Sequence, residues 1–309
     1  MRAVVYRSVG APEVIEVAEL GLPEPGLFEI RIKVDAAALN PADVAAWSGL
    51  FPAPPDGSHF GLGWDVAGTV DAVGPGVAWE LGTPVIAIVQ GATGVVRAQA
   101  EYAIVPSNAI ALAPAGIDAA RAATIPLNGL TAAQSVELLG LSAGQSVLIT
   151  GAAGAVGGYA VQLAKRRGLT VIASAGVNDE EFVTTVLGAD AFVPASDNPT
   201  AAVRQLCPDG VDAVLDTTTL GSRIIAAVTD GGTFVTTRID ALPQPERGIR
   251  VRLTQVSPDA AMLTTLSDLA AAGALALRVA QTYPLHEAAQ AHKRLAEGGL
   301  RGRLVLTTA

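Results

Sequence analysis

The chain has 309 residues, half of them hydrophobic and 16% charged, a globular composition long enough for two domains of about 150 residues each. Twenty lysines and arginines stand against 29 aspartates and glutamates, so the formal charge of −9 excludes nucleic acid and anionic lipid as default partners. A single cysteine, Cys207, excludes an intrachain disulfide and any cluster of several thiolates around zinc or iron–sulfur. The first residues, Met1-Arg2-Ala3-Val4-Val5-Tyr6-Arg7, lack the apolar core of a secretory leader, and no uncharged apolar run is long enough to span a bilayer. A soluble cytoplasmic protein is expected.

Short apolar runs at 3–6, 30–34, 67–73, 85–89 and 102–105, punctuated by glycine and proline, predict a mainly antiparallel β region. From about residue 119 the pattern changes. Alanine-rich stretches at 119–123 and 131–139 read as helices, and strands and helices then alternate: strand 147–150, helix 155–167, strand 171–173, helix 179–187 with Asn178 as its N-cap. Strands at 192–193, 213–215, 233–236 and 251–256 follow, with helices at 201–206 and 222–228 between them. Uncharged strands separated by helices imply a parallel sheet covered on both faces. A helix at 259–272, a short strand near 278–280, a helix at 285–296 and a strand at 303–306 close the chain.

The turn Gly151-Ala152-Ala153-Gly154-Ala155-Val156-Gly157 joins the first strand of the alternating region to its first long helix. It reads as a dinucleotide fingerprint with Ala152 at the first glycine position. Gly154 lets backbone approach a pyrophosphate, Gly157 lets helix and strand pack closely, and N–H groups at the helix start face the anion. The next strand ends Ala173-Ser174-Ala175, without the acid that usually binds the ribose hydroxyls of NAD, which favours NADPH without excluding NADH. Cys207, ahead of Pro208, reads as a small buried residue, and Lys165-Arg166-Arg167 as cations at a helix end.

With Asn40-Pro41-Ala42-Asp43, Gly63-Trp64-Asp65-Val66-Ala67-Gly68, Leu187-Gly188-Ala189-Asp190 and Gly302-Arg303-Leu304-Val305-Leu306, the sequence resembles the medium-chain dehydrogenase/reductase superfamily over essentially its whole length. Within it, the chain resembles the zinc-independent, quinone oxidoreductase-like branch. The resemblance implies an α/β fold: a doubly wound Rossmann domain at 119–256, and a GroES-like, mainly-β domain at 1–118 and 257–309. Zinc-dependent members carry cysteine and histidine where Asn40 and Trp64 stand here, and their four-cysteine loop is missing. No zinc is expected, and His59, His286 and His292 read as loop, cap and surface residues.

The activity so implied is hydride transfer, without metal, from NADPH to a quinone or an α,β-unsaturated carbonyl, a small electrophile. Asn40 and Asp43 are the candidate catalytic residues, although Asp43 also reads as a helix cap. Gly151, Ala153, Gly154, Ala155, Val156 and Gly157 are candidates for holding the cofactor. So are Ser174, Asn178, Thr217 and Thr237, with Thr131, placed at the opening of a helix, as a nicotinamide-side hydroxyl. Trp47, Phe51 and Trp64 are candidates for an apolar substrate wall, with core packing as the competing reading. Ala45 and Phe51 replace tyrosines common in the branch, so neither donates a proton, and Glu180 opposes a 2′-phosphate. A homodimer joined through the strand at 250–256 is expected, with no nucleic-acid or membrane partner. The competing functions are enoyl reduction in a biosynthetic pathway and a catalytically weak nucleotide-binding or regulatory protein.

Overall fold

The computed structural model describes residues 1–91, 93–196 and 199–308. It divides into two units, one comprising Met1–Leu127, Ser257–Gly273 and Leu277–Ala309, the other Asn128–Val256 and Ala274–Ala276. Residues 119–127, expected with the Rossmann domain, lie in the first unit. Asp118 caps a short helix there by accepting the Arg121 N–H, and the Leu127 N–H donates to the buried Asp65 at 2.6 Å.

The first unit begins with β1 (Arg2–Tyr6), β2 (Ile15–Glu19), β3 (Glu29–Ala38), α1 (Pro41–Trp47) and β4 (Phe60–Gly61). It continues with β5 (Asp65–Val73), β6 (Pro84–Ile88), β7 (Tyr102–Pro106), β8 (Ile110–Leu112) and α2 (Ala119–Ala122). The second unit carries most of α3 (Pro126–Leu138), then β9 (Ser146–Thr150), α4 (Ala155–Arg166), β10 (Thr170–Ala175) and β11 (Ala191–Pro194). After these come α5 (Thr200–Leu206), β12 (Val211–Asp216), β13 (Val228–Thr236) and β14 (Arg250–Leu253). The chain returns to the first unit with α6 (Ala260–Ala271), β15 (Val279–Pro284), α7 (Ala288–Ala296) and β16 (Arg303–Thr307).

In the first unit β3 is the shared strand. Ile30, Ile32, Val34 and Ala36 alternate inward, as a half-buried strand requires, while β5 pairs along one edge and β7 and then β16 along the other. Its sheets run β2-β1-β4 and β15-β16-β3-β5-β6-β8, antiparallel except for the β15–β16 pair. The second unit is one parallel sheet in the order β11-β10-β9-β12-β13-β14. That order is the doubly wound dinucleotide-binding arrangement, with β9 at the centre where the direction of winding reverses. Its apolar core is built from Leu148, Ile172, Val214 and Phe234.

Several local expectations are corrected. The helix expected at 179–187 is a 3₁₀ turn at Val177–Asp179 followed by one π-helical turn at Phe182–Val186, and Asn178 lies inside the first turn as an exposed residue, not as a cap. The Asp179 N–H bonds to the Gly176 carbonyl, which closes that turn tightly. The helix expected at 222–228 is two 3₁₀ turns, since Val228 already pairs in β13 with Val211. The helix expected to open at Thr131 begins at Pro126, whose fixed φ and missing N–H suit a first helical position. The strand expected to 256 ends at Leu253, where Thr254 turns its hydroxyl to Ser135 at 2.8 Å.

His292, expected at the surface, is wholly buried on α7. The Trp47 indole N–H donates to its Nδ1 at 3.2 Å, so the ring proton lies on Nε2, which faces Gln99 Oε1 at 2.8 Å. Burial lowers its pKa to about 3, and the ring is neutral at physiological pH. This chain of bonds ties α1 to α7 inside the core that contains Tyr6, Leu39 and Leu304. His292→Leu keeps the bulk but leaves the Trp47 N–H and Gln99 oxygen without partners, so urea unfolding should show a loss of about 1–3 kcal/mol. An unchanged unfolding midpoint would assign the residue to packing alone.

Candidate functional site

β9 delivers the chain into the glycine turn at the carboxyl edge of the parallel sheet. Gly151 takes φ +61°, and a Cβ there would lie 2.7 Å from Thr217 Oγ1. A Cβ on Gly157 would lie 2.2 Å from the Gly151 carbonyl oxygen, so α4 is pressed directly onto the turn it follows. Ala152 is buried and its N–H donates to the Ser174 carbonyl at 3.0 Å, which pins the turn to β10. Gly154 is the N-cap of α4, in extended conformation and with no capping side chain. The first-turn N–H groups of Ala155, Val156 and Gly157 therefore have no intrahelical acceptor, and the positive pole of the helix faces the turn. Gly154 is exposed and Ala153, Ala155 and Val156 are half-buried, so an anion has access to these donors.

A buried carboxylate, not singled out from the sequence, underpins this turn. Asp216 at the end of β12 accepts from Thr150 Oγ1 at 2.6 Å, from the Thr218 hydroxyl at 2.6 Å and N–H at 3.0 Å, and from the Gly221 N–H at 2.8 Å. Thr217 closes the other side: its N–H donates to Thr150 Oγ1 at 3.2 Å and its hydroxyl to the Thr150 carbonyl at 2.7 Å. The Thr237 N–H donates to the Asp216 carbonyl at 3.3 Å. The structure thus brings the glycine turn, Ser174, Thr217 and Thr237 together at one edge. Asn178 lies beyond the end of β10, and Ser174 is buried within that strand. Thr131 sits inside α3, its carbonyl accepting the Ser135 hydroxyl. The available signal for Asp216 was an apolar strand ending in a carboxylate directly before Thr217-Thr218.

Asn40 and Asp43 lie in the first unit, at the start of α1, and both are buried. Asp43 forms a capping box with Asn40. Its Oδ2 accepts the Asn40 N–H at 2.7 Å, and its Oδ1 the Gly63 N–H at 2.8 Å. The Asn40 amide donates to Asp65 Oδ2 at 2.7 Å and accepts from Arg303 Nη2 at 2.8 Å. Arg303 also pairs with Asp65 at 3.2 Å and donates to the Leu39 carbonyl. Desolvation pushes Asp65 above the usual carboxylate range, with Arg303 and Asn40 opposing it. Desolvation likewise pushes Asp43 up to about 7, against its two N–H donors and Arg97. Arg97 is lowered by burial to about 10 and so remains protonated; it donates to the Gly63, Gln90 and Val89 carbonyls and stacks 4.4 Å above the Trp64 ring.

The three aromatic candidates are core side chains or border the core. Trp47 and Trp64 are 4% and 7% exposed and belong to one apolar cluster, with Phe51 half-buried against it. Zinc does not fit here: the Asn40 amide and the Trp64 indole offer neither thiolate nor imidazole, and both are engaged as described. Among the described residues, no group of three or more His, Cys, Asp or Glu side chains is placed to hold a metal ion. Among them also, no helix is long and apolar enough to cross a membrane.

Comparison with known proteins agrees with both units. Residues 26–115 match the alcohol dehydrogenase GroES-like domain, and residues 187–306 match a family described as zinc-binding dehydrogenase. The chain is 31% identical to the quinone oxidoreductase of Pseudomonas aeruginosa, over 99% of both chains. It is 36% identical to a chloroplastic quinone-oxidoreductase homolog of Spinacia oleracea, over 62% of this chain and 60% of that protein. It is 34% identical to an NADPH-dependent alkenal/one oxidoreductase of Arabidopsis thaliana, over 76% of this chain and 62% of that protein. Among solved structures, an NAD-dependent alcohol dehydrogenase superposes with a TM-score of 0.87 at 32% identity, covering 100% of both chains. The quinone oxidoreductase of Coxiella burnetii also gives 0.87, at 27% identity, covering 100% of this chain and 99% of that one.

The raised Asp43 has a signed consequence. Its folded pKa lies above the unfolded value of 3.8, so stability from this group is full below about 4 and is lost as pH rises towards 7. Asp43→Asn removes that titration and leaves the Asn40 or Gly63 N–H facing an amide donor. The variant should be destabilised, and by less at pH 8 than at pH 4.5 in paired denaturant titrations. A cost that grows with pH would mean that Arg97 outweighs desolvation and holds the carboxyl down.

Proposed function

Because the chain belongs to the medium-chain dehydrogenase/reductase superfamily, in its quinone oxidoreductase-like branch, we propose that it is an NADPH-dependent reductase of quinones or α,β-unsaturated carbonyls. The observation that carries this reading is the uncapped start of α4 behind the pinched turn, at the strand where the sheet reverses its winding. The residues present fit a dinucleotide: N–H groups of 155–157 for the pyrophosphate, and Thr217 and Thr237 along the same edge for its riboses and carboxamide. A bound nicotinamide supplies the hydride, and the protein supplies orientation.

Asn40 and Trp64 replace zinc ligands, so the acceptor must bring its own electrophilicity, as a quinone or an enone does. Both Asp43 oxygens are taken by backbone N–H groups, and Asn40 serves to align Asp65 and Arg303. Neither is positioned as an acid, so the proton that completes reduction comes from water or from another group. NADPH is preferred over NADH because β10 ends without an acid; the NADPH-dependent Arabidopsis relative supports this, while exposed Glu180 and the NAD-dependent structural neighbour oppose it. A second reading, reduction of a carrier-bound enoyl group, is supported by 29% identity to a mycobacterial polyketide synthase over 97% of this chain and 15% of that protein.

Turnover of 1,4-benzoquinone or an enone with NADPH, by absorbance loss of the reduced cofactor, tests the main reading. Measurable cofactor binding without turnover of any such acceptor would refute it, and a lower Kd for NADH than for NADPH would reverse the cofactor preference. We further propose a homodimer across β14, one of the two edge strands of the parallel sheet, since a bare edge strand is a liability that pairing removes. Sedimentation equilibrium should give twice the 31.2 kDa chain mass, and Val251→Pro should yield a monomer. A wild-type monomer at micromolar concentration would rule this out.

A further inference from the structure

Asp216 is a charged group the proposed chemistry does not use, buried at the edge where the proposed cofactor would lie. Its four donors come from three places: the end of β9, the 217–218 step and the turn at Gly221. All four are neutral, and none comes from an arginine or lysine. Holding two parallel strands together does not call for such a group, since apolar residues of similar volume do that at no desolvation cost. A buried carboxylate does what apolar packing cannot, which is to fix the direction of several hydroxyl and N–H groups at once.

We infer that Asp216 is a positioning residue for dinucleotide binding, acting through Thr150 and Thr218 on the Gly151–Gly157 turn. The path is short. Asp216 holds the Thr150 hydroxyl, and the Thr150 hydroxyl and carbonyl are also held by Thr217. Thr150 leads directly into Gly151, which is confined between Thr217, Thr218 and the first turn of α4. Releasing Thr150 lets Gly151 shift, and every N–H of the α4 start that faces the anion shifts with it. Directional donors lose most of their value when displaced by about 1 Å, so affinity is where the loss appears. This inference rests on the dinucleotide reading of the same turn.

The test is Asp216→Asn in the full chain. The amide keeps one acceptor oxygen but turns a donor towards the Thr150 and Thr218 hydroxyls or towards the Gly221 N–H. Fluorescence titration should show NADPH binding weakened by about tenfold, with cofactor KM rising in step. At saturating NADPH, kcat should stay within about twofold, a split that a loss of stability alone does not produce. Should Asp216→Asn fail to fold, Thr218→Val removes one hydroxyl donor at constant shape, and Thr218→Ser restores it. The valine variant should weaken binding and the serine variant recover it. Wild-type or tighter NADPH affinity in folded Asp216→Asn, or in Thr218→Val, would overturn the inference alone. Wild-type protein that binds neither NADPH nor NADH would overturn the dinucleotide reading, and this inference with it.

Discussion

The contact of α4 with the carbonyl of Gly151 is the constraint on which the second unit depends. A single methyl group on Gly157 would sit 2.2 Å from that oxygen, closer than any side chain tolerates. The helix is therefore bound to start immediately at the strand end, and its axis is set by backbone, not by side-chain packing. The same pinch explains why the helix is left uncapped. Asp118 caps α2 and Asp259 caps α6, each accepting a backbone N–H, whereas α5 and α7 start at Pro199 and Glu287 without a side-chain cap. At α4 the chain uses Gly154, and the donors that a cap would have satisfied stay available.

The first unit solves a different problem, the burial of charge around the start of α1. Asp43, Asp65, Arg97 and Arg303 are all buried, and each arginine donates to main-chain carbonyls as well as facing a carboxylate. Pairing and hydrogen bonds oppose the desolvation cost, which still raises both carboxyls. Asn40 is the joint between two of these groups, donating to Asp65 while accepting from Arg303. Its amide carries a donor and an acceptor on one planar group, a pair that a thiolate lacks. The segment from Asn40 to Asp43 thus enters an internal network of buried polar groups.

Architecture was legible in the sequence because it is written in short-range signals. Apolar strand length, the glycine spacing at 151–157 and the motif order identify a parallel doubly wound sheet, and the structure has it. The failures occur where the deciding partner is remote in the chain. His292 looks like a polar residue on a surface helix until Trp47, 245 positions away, donates to it. Asn178 looks like an N-cap until the chain is seen to close a 3₁₀ turn and then a π turn, which no propensity distinguishes from a helix. The aromatic residues around Trp47 and Trp64 carry the pattern of either a ligand wall or a core, and the structure packs Trp47 and Trp64 into one apolar cluster with Phe51 at its border.

Asp43 and Asp216 differ in how far a buried carboxylate is visible in the sequence. Asp43 lies inside a motif, and its oxygens accept two backbone N–H groups among arginines and core. Asp216 is a lone acid at the end of an apolar strand, a pattern without local meaning in the sequence. What separates them is the kind of donor each has gathered. Asp43 is held by main-chain N–H groups of its own helix start and of the 61–63 turn, a fold-internal role. Asp216 is held mostly by hydroxyls and turn N–H groups that border an open edge. Among the described residues no arginine or lysine donates to it, so in the proposed reading the draw for an anion is the N–H groups of α4 and not net charge. A cradle of that kind is only as good as its geometry, and the residue that sets the geometry matters as much as those that touch the ligand.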